Sequence, residues 1–400
     1  MNLFLTVVSV EEAVRVLCGL APPREAEEIH LVDGLHRVLA DDIRSEEDIP
    51  GFDRSTVDGF ALRARDTVGS SDSLPVILRY RGRISMGETP RLVIREDECM
   101  YIPTGGVLPE GADAVAMVEY SEQIEDNVLV YRPIAPGENV VRRDEDFPRG
   151  DLILPKGHEI RPQDMGVLAA AGVNRVKVYR IPRIGVISTG NELVPPESAV
   201  GTGKVRDANS YMIRGFLSEH GCSSIFYGII QDDPALLRSI LVQAGSECDA
   251  VILSGGSSKD VRDVCGKTIG DLGEVLIHGI SLQPGKPTII GRIGRIPVIG
   301  LPGHPASAYI VLRAIVQPLL NKMTSRVLPI ITRSAILAEN IPSSKGREDY
   351  VRVRIEDGRA IPLFGKSGLL NTLIRSEGMV RIPAAREGLE EGERVEVILW

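Results

Sequence analysis

The strongest constraint on the fold is an alternation of apolar runs with helical patterns over residues 183–320. The runs that read as buried strands span residues 183–188, 223–229, 250–253, 288–290 and 298–299. The helical patterns span residues 211–219, 234–243 and 306–320. Near-continuous apolar strands that alternate with helices are typical of an α/β domain, in which helices cover both faces of a parallel sheet. Ligands bind such sheets at the carboxyl ends of the strands.

The segments on either side of this alternation are rich in short β runs. A helical face over residues 10–20 comes first, and residues 29–141 then contain β runs at 76–80, 92–94, 114–120 and 127–131. A short helix at 163–171 and a strand at 176–179 lead into the α/β segment. After residue 326, β runs return at 331–337, 350–355, 380–382 and 395–399. The chain is therefore expected to contain several domains, with a small β domain last.

Composition excludes several classes of function. The 400 residues carry 46 basic and 55 acidic side chains, a net charge of −9. General nucleic-acid and anionic-membrane binders show a basic excess instead, so we expect neither kind of partner. The five cysteines are scattered without a CxxC pair, which argues against disulfides and structural zinc and favours a reducing cytoplasm. No apolar run approaches the roughly 20 residues that cross a bilayer.

Two familiar nucleotide-binding patterns are missing from the sequence. No GxGxxG follows a predicted strand, so the dinucleotide fingerprint is absent. The stretch from Gly279 to Gly285-Lys286 is one residue too long for a P-loop, and Pro287 stands where a metal-binding Ser or Thr is required. The chain is therefore not expected to hydrolyse ATP in the Walker manner.

Gly-rich loops with polar residues follow two predicted strands of the α/β segment. Ser188-Thr189-Gly190-Asn191-Glu192 follows one, and Ser254-Gly255-Gly256-Ser257 follows another, with Asp263 beyond it. Backbone N–H groups of successive small residues can cradle an oxyanion, and nearby carboxylates can hold Mg²⁺. Taken singly, residues such as Asp58 or Lys286 are more often turn or solvated side chains. Their joint occurrence with these loops is what indicates a site.

These motifs resemble those of the molybdopterin molybdenumtransferase family, which also includes the C-terminal domain of the scaffold protein gephyrin. The matching stretches are residues 50–61, 104–105, 108–109, 111–114, 137–150, 188–193, 254–256, 263, 284–287, 300–308, 346–352 and 365–370. They occur in one order over essentially the whole chain.

The resemblance implies a homodimer whose elongated subunits have a multidomain α/β plus β architecture. The implied domains are an elongated α+β linker and dimerisation domain (residues 1–27 and 146–180), a β-rich domain (28–145), a central parallel-sheet α/β molybdopterin-binding domain similar to molybdopterin adenylyltransferases (181–325), and a C-terminal β-barrel domain (326–400). Molybdopterin adenylyltransferase and molybdoenzymes are the protein partners that this role implies.

The implied reaction takes adenylylated molybdopterin and molybdate, cleaves the pyrophosphate link, and yields molybdenum cofactor and AMP with the help of Mg²⁺. The family's acidic and hydroxyl groups fall on Asp58, Thr104, Asp146, Glu192 and Asp263, its loop prolines on Pro302 and Pro305, and its anion-binding lysine on Lys286. Both substrates are anions, so Glu192 and Asp263 are expected to act mainly as Mg²⁺ ligands or as residues that position water. Either Asp58 or Glu192 is expected as the general base.

The phosphates are expected to bind at the two Gly-rich loops, where backbone N–H groups can neutralise them together with Lys286. The residues expected there are Gly190, Ser254, Gly255, Gly256 and Ser257.

The sequence also departs from the family pattern at the presumed anion site. Gln283 stands where Lys is usual, His304 where Asn is usual, and Lys259-Asp260 where an apolar residue and Gly are usual. These changes leave open a tungstate-inserting paralogue, and the resemblance to gephyrin leaves open a non-catalytic scaffold or pterin carrier. The presence of all the acidic residues favours catalysis over a scaffold.

Overall fold

The structure is a computed structural model that describes residues 7–255, 259–326, 328–365 and 368–400, with the backbone alone for residues 259–263. The chain forms two compact units, one made of Met1–Glu27 with Val178–Trp400 and the other of Glu28–Lys177. The division into four domains at the boundaries above stays a prediction.

The first half of the chain is built mainly from short strands, as expected. Its elements are α1 (Val10–Gly19), β1 (Ala26–His30), β2 (Ile43–Arg44), β3 (Arg54–Ser55), β4 (Gly59–Leu62), β5 (Val76–Arg83), β6 (Glu98–Ile102), β7 (Ala114–Met117), β8 (Ser121–Ile124), β9 (Asn127–Val130), β10 (Val140–Val141), β11 (Leu152–Leu154), α2 (Pro162–Ala170) and β12 (Arg175–Tyr179).

A six-stranded sheet organises the unit 28–177, in the order β7-β4-β6-β5-β9-β8. Strand β4 is buried along its whole length because it lies between β7 and β6, and Phe60 and Leu62 pack into the core. The β run predicted at residues 92–94 is wrong: this stretch is irregular, although Ile94 is buried and its N–H donates to the carbonyl of Glu110. The buried side chain explains the apolar pattern without a strand.

The first turn of helix α2 contains a buried, ion-paired aspartate. The carboxylate of Asp164 accepts hydrogen bonds from the backbone N–H and the guanidinium of Arg161, and His158 Nε2 lies 2.7 Å from its Oδ2. The hydrogen bonds from the Arg161 side chain are the largest cause that holds the pKa of Asp164 well below its ordinary range. The carboxylate therefore ties the first turn of α2 to the preceding loop.

We expect Asp164→Asn to lower the free energy of opening of α2 by about 1–2 kcal/mol at neutral pH. Because the pKa of Asp164 is lower in the folded than in the unfolded chain, its stabilising contribution is present above about pH 3.9 and is lost as the pH falls below that value. Hydrogen exchange of the α2 amides should therefore differ at neutral pH and converge on acidification. Asp72→Asn, at an exposed position of the same unit, is the control. Equal protection of parent and Asp164→Asn at neutral pH would contradict the prediction.

The α/β segment follows the predicted alternation. Its elements are β13 (Arg183–Thr189), β14 (Leu193–Val194), β15 (Val205–Arg206), α3 (Asn209–Glu219), β16 (Ser223–Ile230), α4 (Pro234–Glu247), β17 (Ala250–Gly255), α5 (Lys259–Leu272), β18 (Glu274–His278), β19 (Leu282–Gln283), β20 (Ile289–Ile293), β21 (Ile296–Leu301), α6 (Pro305–Val311) and, after a π-helical turn, α7 (Gln317–Thr324).

These strands form a six-stranded sheet in the order β16-β13-β17-β21-β20-β18. The first four strands are parallel, which confirms the expected parallel sheet, and β20 and β18 extend it in antiparallel fashion. The turn at Gly294 joins β20 directly to β21, so this pair is a hairpin and not a crossover. Core residues from α3, α6 and α7 lie in one cluster and those from α4 and α5 in another, so helices cover both faces.

Helix α5 was not predicted. Its sequence contains Gly266 and Gly270, which lower the intrinsic preference for a helix. The helix forms because Cys265 and Ile269 pack into the core cluster that also contains Ile289. Tertiary packing here outweighs local preference.

The last part of the chain closes into a small barrel. Its elements are β22 (Thr332–Leu337), β23 (Ile341–Pro342), β24 (Glu348–Glu356), β25 (Arg359–Pro362), α8 (Asn371–Arg375), β26 (Gly378–Ile382), β27 (Gly388–Leu389) and β28 (Arg394–Leu399). The pairings run β24-β25-β22-β28-β26 and return to β24, so the five strands form a closed barrel. Strand β19, which lies in the α/β segment of the chain, pairs with β24, with Gln283 opposite Asp349. This pairing connects the α/β segment to the barrel.

Candidate functional site

A cavity of about 370 Å³ lies at the carboxyl ends of the parallel strands. We call it the strand-end cavity. Strands β13 and β17 are in register so that Ser188 lies opposite Ser254 and Thr189 opposite Gly255, which brings the two predicted loops side by side. Glu192, Ser254 and Gly255 line the cavity. The structure therefore brings these three predicted site residues together.

Gly190 makes room for the carboxylate of Glu192. Its φ is +148°, and a Cβ at this position would lie 2.7 Å from Glu192 Oε2. The N–H of Gly190 donates a hydrogen bond to the carbonyl of Ile230 at 3.1 Å, so the expected contact of this N–H with a phosphate does not fit the structure. The positive φ at this position is a backbone conformation that favours glycine.

Asp207 is a wall residue of the strand-end cavity that the sequence analysis missed. It is 3% exposed, and its Oδ2 accepts a hydrogen bond of 2.6 Å from Ser188 Oγ, while Oδ1 accepts one from the backbone N–H of Ser210. An acidic residue close to the start of a helix is ordinarily interpreted as a cap, so its position on the cavity wall was not predicted. Its position just before α3 at the ligand-binding edge was the available signal.

Asn209, a wall residue of the strand-end cavity, connects the end of β17 to the loop after β21 through hydrogen bonds. Its Nδ2 donates hydrogen bonds to Ser254 Oγ at 2.8 Å and to the carbonyl of Gly303 at 2.9 Å. Ser254 lies at the end of β17, and Gly303 lies between β21 and α6. This amide, which the sequence analysis also missed, holds the predicted phosphate loop in place.

The other predicted residues of this unit have different positions. Pro305 begins α6 and lines the cavity, whereas Pro302 is buried. Lys286 is exposed and is not among the wall residues of the strand-end cavity, so its anion-binding role stays a prediction. Gly256, Ser257 and the side chain of Asp263 lie outside the described residues.

A second cavity of about 480 Å³ lies where β19 meets the barrel strand β24. We call it the barrel cavity. Gln283, Arg352 and His304 are among its wall residues, and His304 also lines the strand-end cavity. The two cavities therefore share His304 as a wall residue.

Arg352 gives the barrel cavity a buried positive charge. The residue is 6% exposed, and its Nε has no hydrogen-bond partner among the described residues. Among the described residues no carboxylate pairs with it, and burial lowers the pKa of its guanidinium. A buried, uncompensated guanidinium is costly unless an anion binds it. Its strand reads as ordinary barrel sequence, so only its burial identifies it.

The unit 28–177 brings two further predicted residues into contact. Thr104 donates to Asp58 Oδ1 through its backbone N–H at 2.7 Å and through its hydroxyl at 3.1 Å. Both side chains are exposed. Asp146, also exposed, lies in a separate turn, where its N–H donates to the carbonyl of Ile49. Asp58 thus serves as a turn cap and keeps a carboxylate at the surface.

The described residues contain neither a cluster of metal-binding side chains nor a membrane-spanning helix. No group of three or more His, Cys, Asp or Glu side chains gathers there into a metal site. None of the helices in that part of the chain has the length and apolar character to cross a membrane.

Known families match the chain along most of its length. The matches are to the MoeA N-terminal region (domain I and II) over residues 8–172, a probable molybdopterin binding domain over residues 185–322, and the MoeA C-terminal region (domain IV) over residues 334–400. They follow one another in the order that the resemblance implied.

Individual proteins agree with these matches. A putative molybdopterin biosynthesis protein of Methanocaldococcus jannaschii is 35% identical, over 94% of this chain and 92% of that protein. The molybdopterin molybdenumtransferase of Bacillus subtilis is 31% identical, over 98% of this chain and 94% of that protein. The crystal structure of a molybdopterin biosynthesis MoeA protein from Pyrococcus horikoshii superposes with a TM-score of 0.88 at 39% identity, over 98% of this chain and 99% of that one. The resemblance read from the motifs is thereby confirmed, and the chain belongs to the molybdopterin molybdenumtransferase family.

Proposed function

We propose that this chain inserts molybdenum from molybdate into adenylylated molybdopterin and releases AMP to form molybdenum cofactor. The observation that carries the proposal is the pair of adjoining cavities that share His304. One offers hydroxyls and carboxylates at strand ends, and the other offers the buried guanidinium of Arg352. A phosphorylated pterin and a free oxyanion need two such environments side by side.

We assign the phosphates of the pterin substrate to the strand-end cavity. Ser254 and Gly255 end a parallel strand there, and Asn209 holds Ser254 in position. Gly256 and Ser257 continue the same loop in sequence, and Lys286 is retained as a proposed anion-binding residue. The cavity has room for the diphosphate and its immediate neighbours, since its volume is about 370 Å³.

We assign molybdate to the barrel cavity. Arg352 supplies the positive charge, and its fork of N–H donors suits a tetrahedral oxyanion. Gln283 adds a neutral amide to the same wall. The oxyanion is therefore held next to the cavity in which the pterin substrate is activated.

The donor set of the strand-end cavity fits Mg²⁺, which prefers carboxylate oxygens and keeps several waters. Glu192 and Asp207 line the cavity, and Asp207 is already hydrogen-bonded by Ser188 and Ser210. Glu192 would therefore hold the ion together with Asp263, as the family resemblance implies. When bound, the ion would neutralise phosphate charge and favour the departure of AMP.

We assign the general base to Glu192. The Oδ1 of Asp58 already accepts two hydrogen bonds from Thr104, whereas the carboxylate of Glu192 lines the cavity beside Gly190. One oxygen of Glu192 would accept the proton of the water that cleaves the pyrophosphate link and displaces AMP, and the other would help to hold the ion. Asp58, Thr104 and Asp146 stay proposed catalytic residues on the surface loops of the unit 28–177.

The wider biochemical setting is also part of the proposal. We infer a homodimer that works in the cytoplasm, takes its substrate from a molybdopterin adenylyltransferase and delivers its product to molybdoenzymes. All five cysteines are free thiols, which fits a reducing compartment.

The proposal is tested with the purified chain, adenylylated molybdopterin, Mg²⁺ and molybdate. AMP should be released, and the pterin product should contain molybdenum, as measured by chromatography and elemental analysis. Omission of molybdate should reduce both. A parallel reaction with tungstate distinguishes the paralogue, because that enzyme would release AMP with tungstate and not with molybdate. Tight binding of the pterin without AMP release under any condition would contradict the proposed enzyme activity and indicate a pterin carrier.

A further inference from the structure

The last barrel strand contacts the α/β segment through a row of aromatic rings and a hydrogen bond. The rings of Phe216, Tyr309 and Trp400 follow one another edge to face, with centroids 6.1 and 5.2 Å apart. Arg313, in the π-helical turn between α6 and α7, donates a hydrogen bond of 2.6 Å to the carbonyl of Leu399 in β28. We call the contact made by these five residues the β28 junction. It holds the barrel against the helices of the α/β segment.

A buried histidine packs against one end of the aromatic row. His220 directly follows α3, is 1% exposed, and its ring centroid lies 4.1 Å from that of Phe216. Its Nδ1 lies 2.8 Å from the carbonyl oxygen of Phe216, so in the neutral imidazole this nitrogen carries the hydrogen and donates it. The proton that turns the ring into a cation must therefore bind to Nε2. This atom is buried and has no hydrogen-bond partner among the described residues.

The surroundings of His220 oppose its protonation. Burial is the largest cause that lowers the pKa of His220, and the guanidiniums of Arg313 and Arg326 lower it further. The hydrogen bond to Phe216 and the carboxylate of Glu219 act in the opposite direction. Glu219 is exposed, however, so solvent screens its charge.

Two further ionisable side chains packed around this ring are neutral. Burial raises the pKa of the Tyr309 hydroxyl, and it raises the pKa of the Cys222 thiol to about 12. The Cys222 thiol donates to the carbonyl of His220, so it leaves the imidazole without a counter-charge. A proton on Nε2 would thus be a buried charge beside two guanidiniums, with no acceptor among the described residues. Such a charge is costly.

We propose that protonation of His220 opens the β28 junction, which makes this histidine an acid-sensitive control on the contact between the barrel and the α/β segment. The cost of the buried charge is relieved when Phe216 and Arg313 move away from the imidazole, and both residues belong to the junction. The strand-end cavity and the barrel cavity share His304 as a wall residue, so opening also changes how the two cavities meet. The inference does not depend on the proposed function, because it concerns only a contact within the fold.

The direction of the pH effect follows from the lowered pKa of His220. The closed junction binds the proton more weakly than the open one, so it is fully stable above about pH 6.5, the ordinary pKa of histidine, and loses stability as the pH falls below that value. Because one proton is linked to opening, the opening equilibrium constant should rise by at most about tenfold per pH unit.

The test follows the junction in the full chain as the pH is lowered from about 7.5 to about 5.5. Trp400 is the single tryptophan of the sequence, so its fluorescence reports on the junction. Hydrogen exchange of the β28 amides measures the opening equilibrium, with the amides of the central strand β17 as the internal reference. Below about pH 6.5 the β28 amides of the parent should lose protection relative to β17, and the emission of Trp400 should change in parallel.

His220→Gln and His220→Phe should abolish this pH dependence. Glutamine can keep a hydrogen bond to the carbonyl of Phe216, and phenylalanine keeps a ring against Phe216, but neither takes up a proton in this range. His30→Gln, at an exposed position of the other unit, is the control and should keep the parental pH profile. Protection of β28 that does not depend on pH in the parent would overturn the proposal. A parental pH profile in both His220 variants, with protection shifted equally at every pH, would show a packing role alone and overturn it too.

Discussion

Glu192→Gln should lower the rate of AMP release by about 100-fold or more, the range expected for the loss of a general base. Glutamine has nearly the same shape as glutamate, so the space that Gly190 leaves for the side chain stays filled. The variant loses the negative charge that would hold Mg²⁺ and the oxygen that would accept a proton. Single-turnover measurement of AMP by chromatography, with saturating molybdate and Mg²⁺, reports the change directly.

Glu197→Gln is the matched control for this experiment. Glu197 lies five residues further along the chain, in the loop after β14, and is exposed, so its variant should release AMP at the parental rate. A Glu192→Gln rate within about threefold of the parent, far above the loss expected for a general base, would remove Glu192 from the catalytic assignment. Asp58 would then become the stronger candidate for the base.

Arg352→Met should change binding and stability in opposite directions. Removal of the guanidinium should weaken molybdate binding by about 100-fold, because the oxyanion would lose its buried charged partner. The same change should raise the thermal midpoint of the free protein, since a buried charge without an ion-pair partner among the described residues is costly and methionine is apolar. Titration calorimetry and thermal denaturation measure the two effects on the same samples.

Arg354→Met is the control for Arg352→Met. Arg354 lies two residues further along β24, is exposed and pairs with Glu356, so its loss should leave molybdate binding unchanged. A fall in both binding and stability in Arg352→Met would indicate that Arg352 supports the barrel, and the assignment of the oxyanion to this cavity would be withdrawn.

The elements of the α/β domain were the most predictable part of the fold. Strands β13 and β17 are buried on both faces, so their apolar character persists along the strand and is visible without an alignment. Helix α5 was missed because its glycines lower the intrinsic helix preference of the segment. The run at residues 92–94 was misread as a strand because its apolar pattern comes from one buried side chain in an irregular stretch. In both cases contacts between distant residues decided the outcome.

The location of the site was predictable where the order of strands and loops along the chain implies which loops lie at the same edge of the sheet. Parallel strands end at one edge of a sheet, so the loops after β13 and β17 had to lie together, and Ser188 and Ser254 are opposite each other. Asp207 and Asn209 were missed because polar residues at the start of a helix ordinarily act as caps. Arg352 was missed because arginine in a barrel strand is usually solvated, and nothing in a linear pattern reports that this one is buried.

By itself, the sequence determined the class of the domains, the family and the two Gly-rich loops, because these depend on local patterns and on motif order. Only the tertiary structure decided which loops share a cavity, that the Glu192 carboxylate lies against Gly190, and that the buried Arg352 lines the same cavity as His304. Burial and charge balance depend on residues far apart in the chain, such as Gln283 opposite Asp349. The local sequence between these two residues does not predict the pairing. It forms only in the folded chain, where β19 pairs with the barrel strand β24.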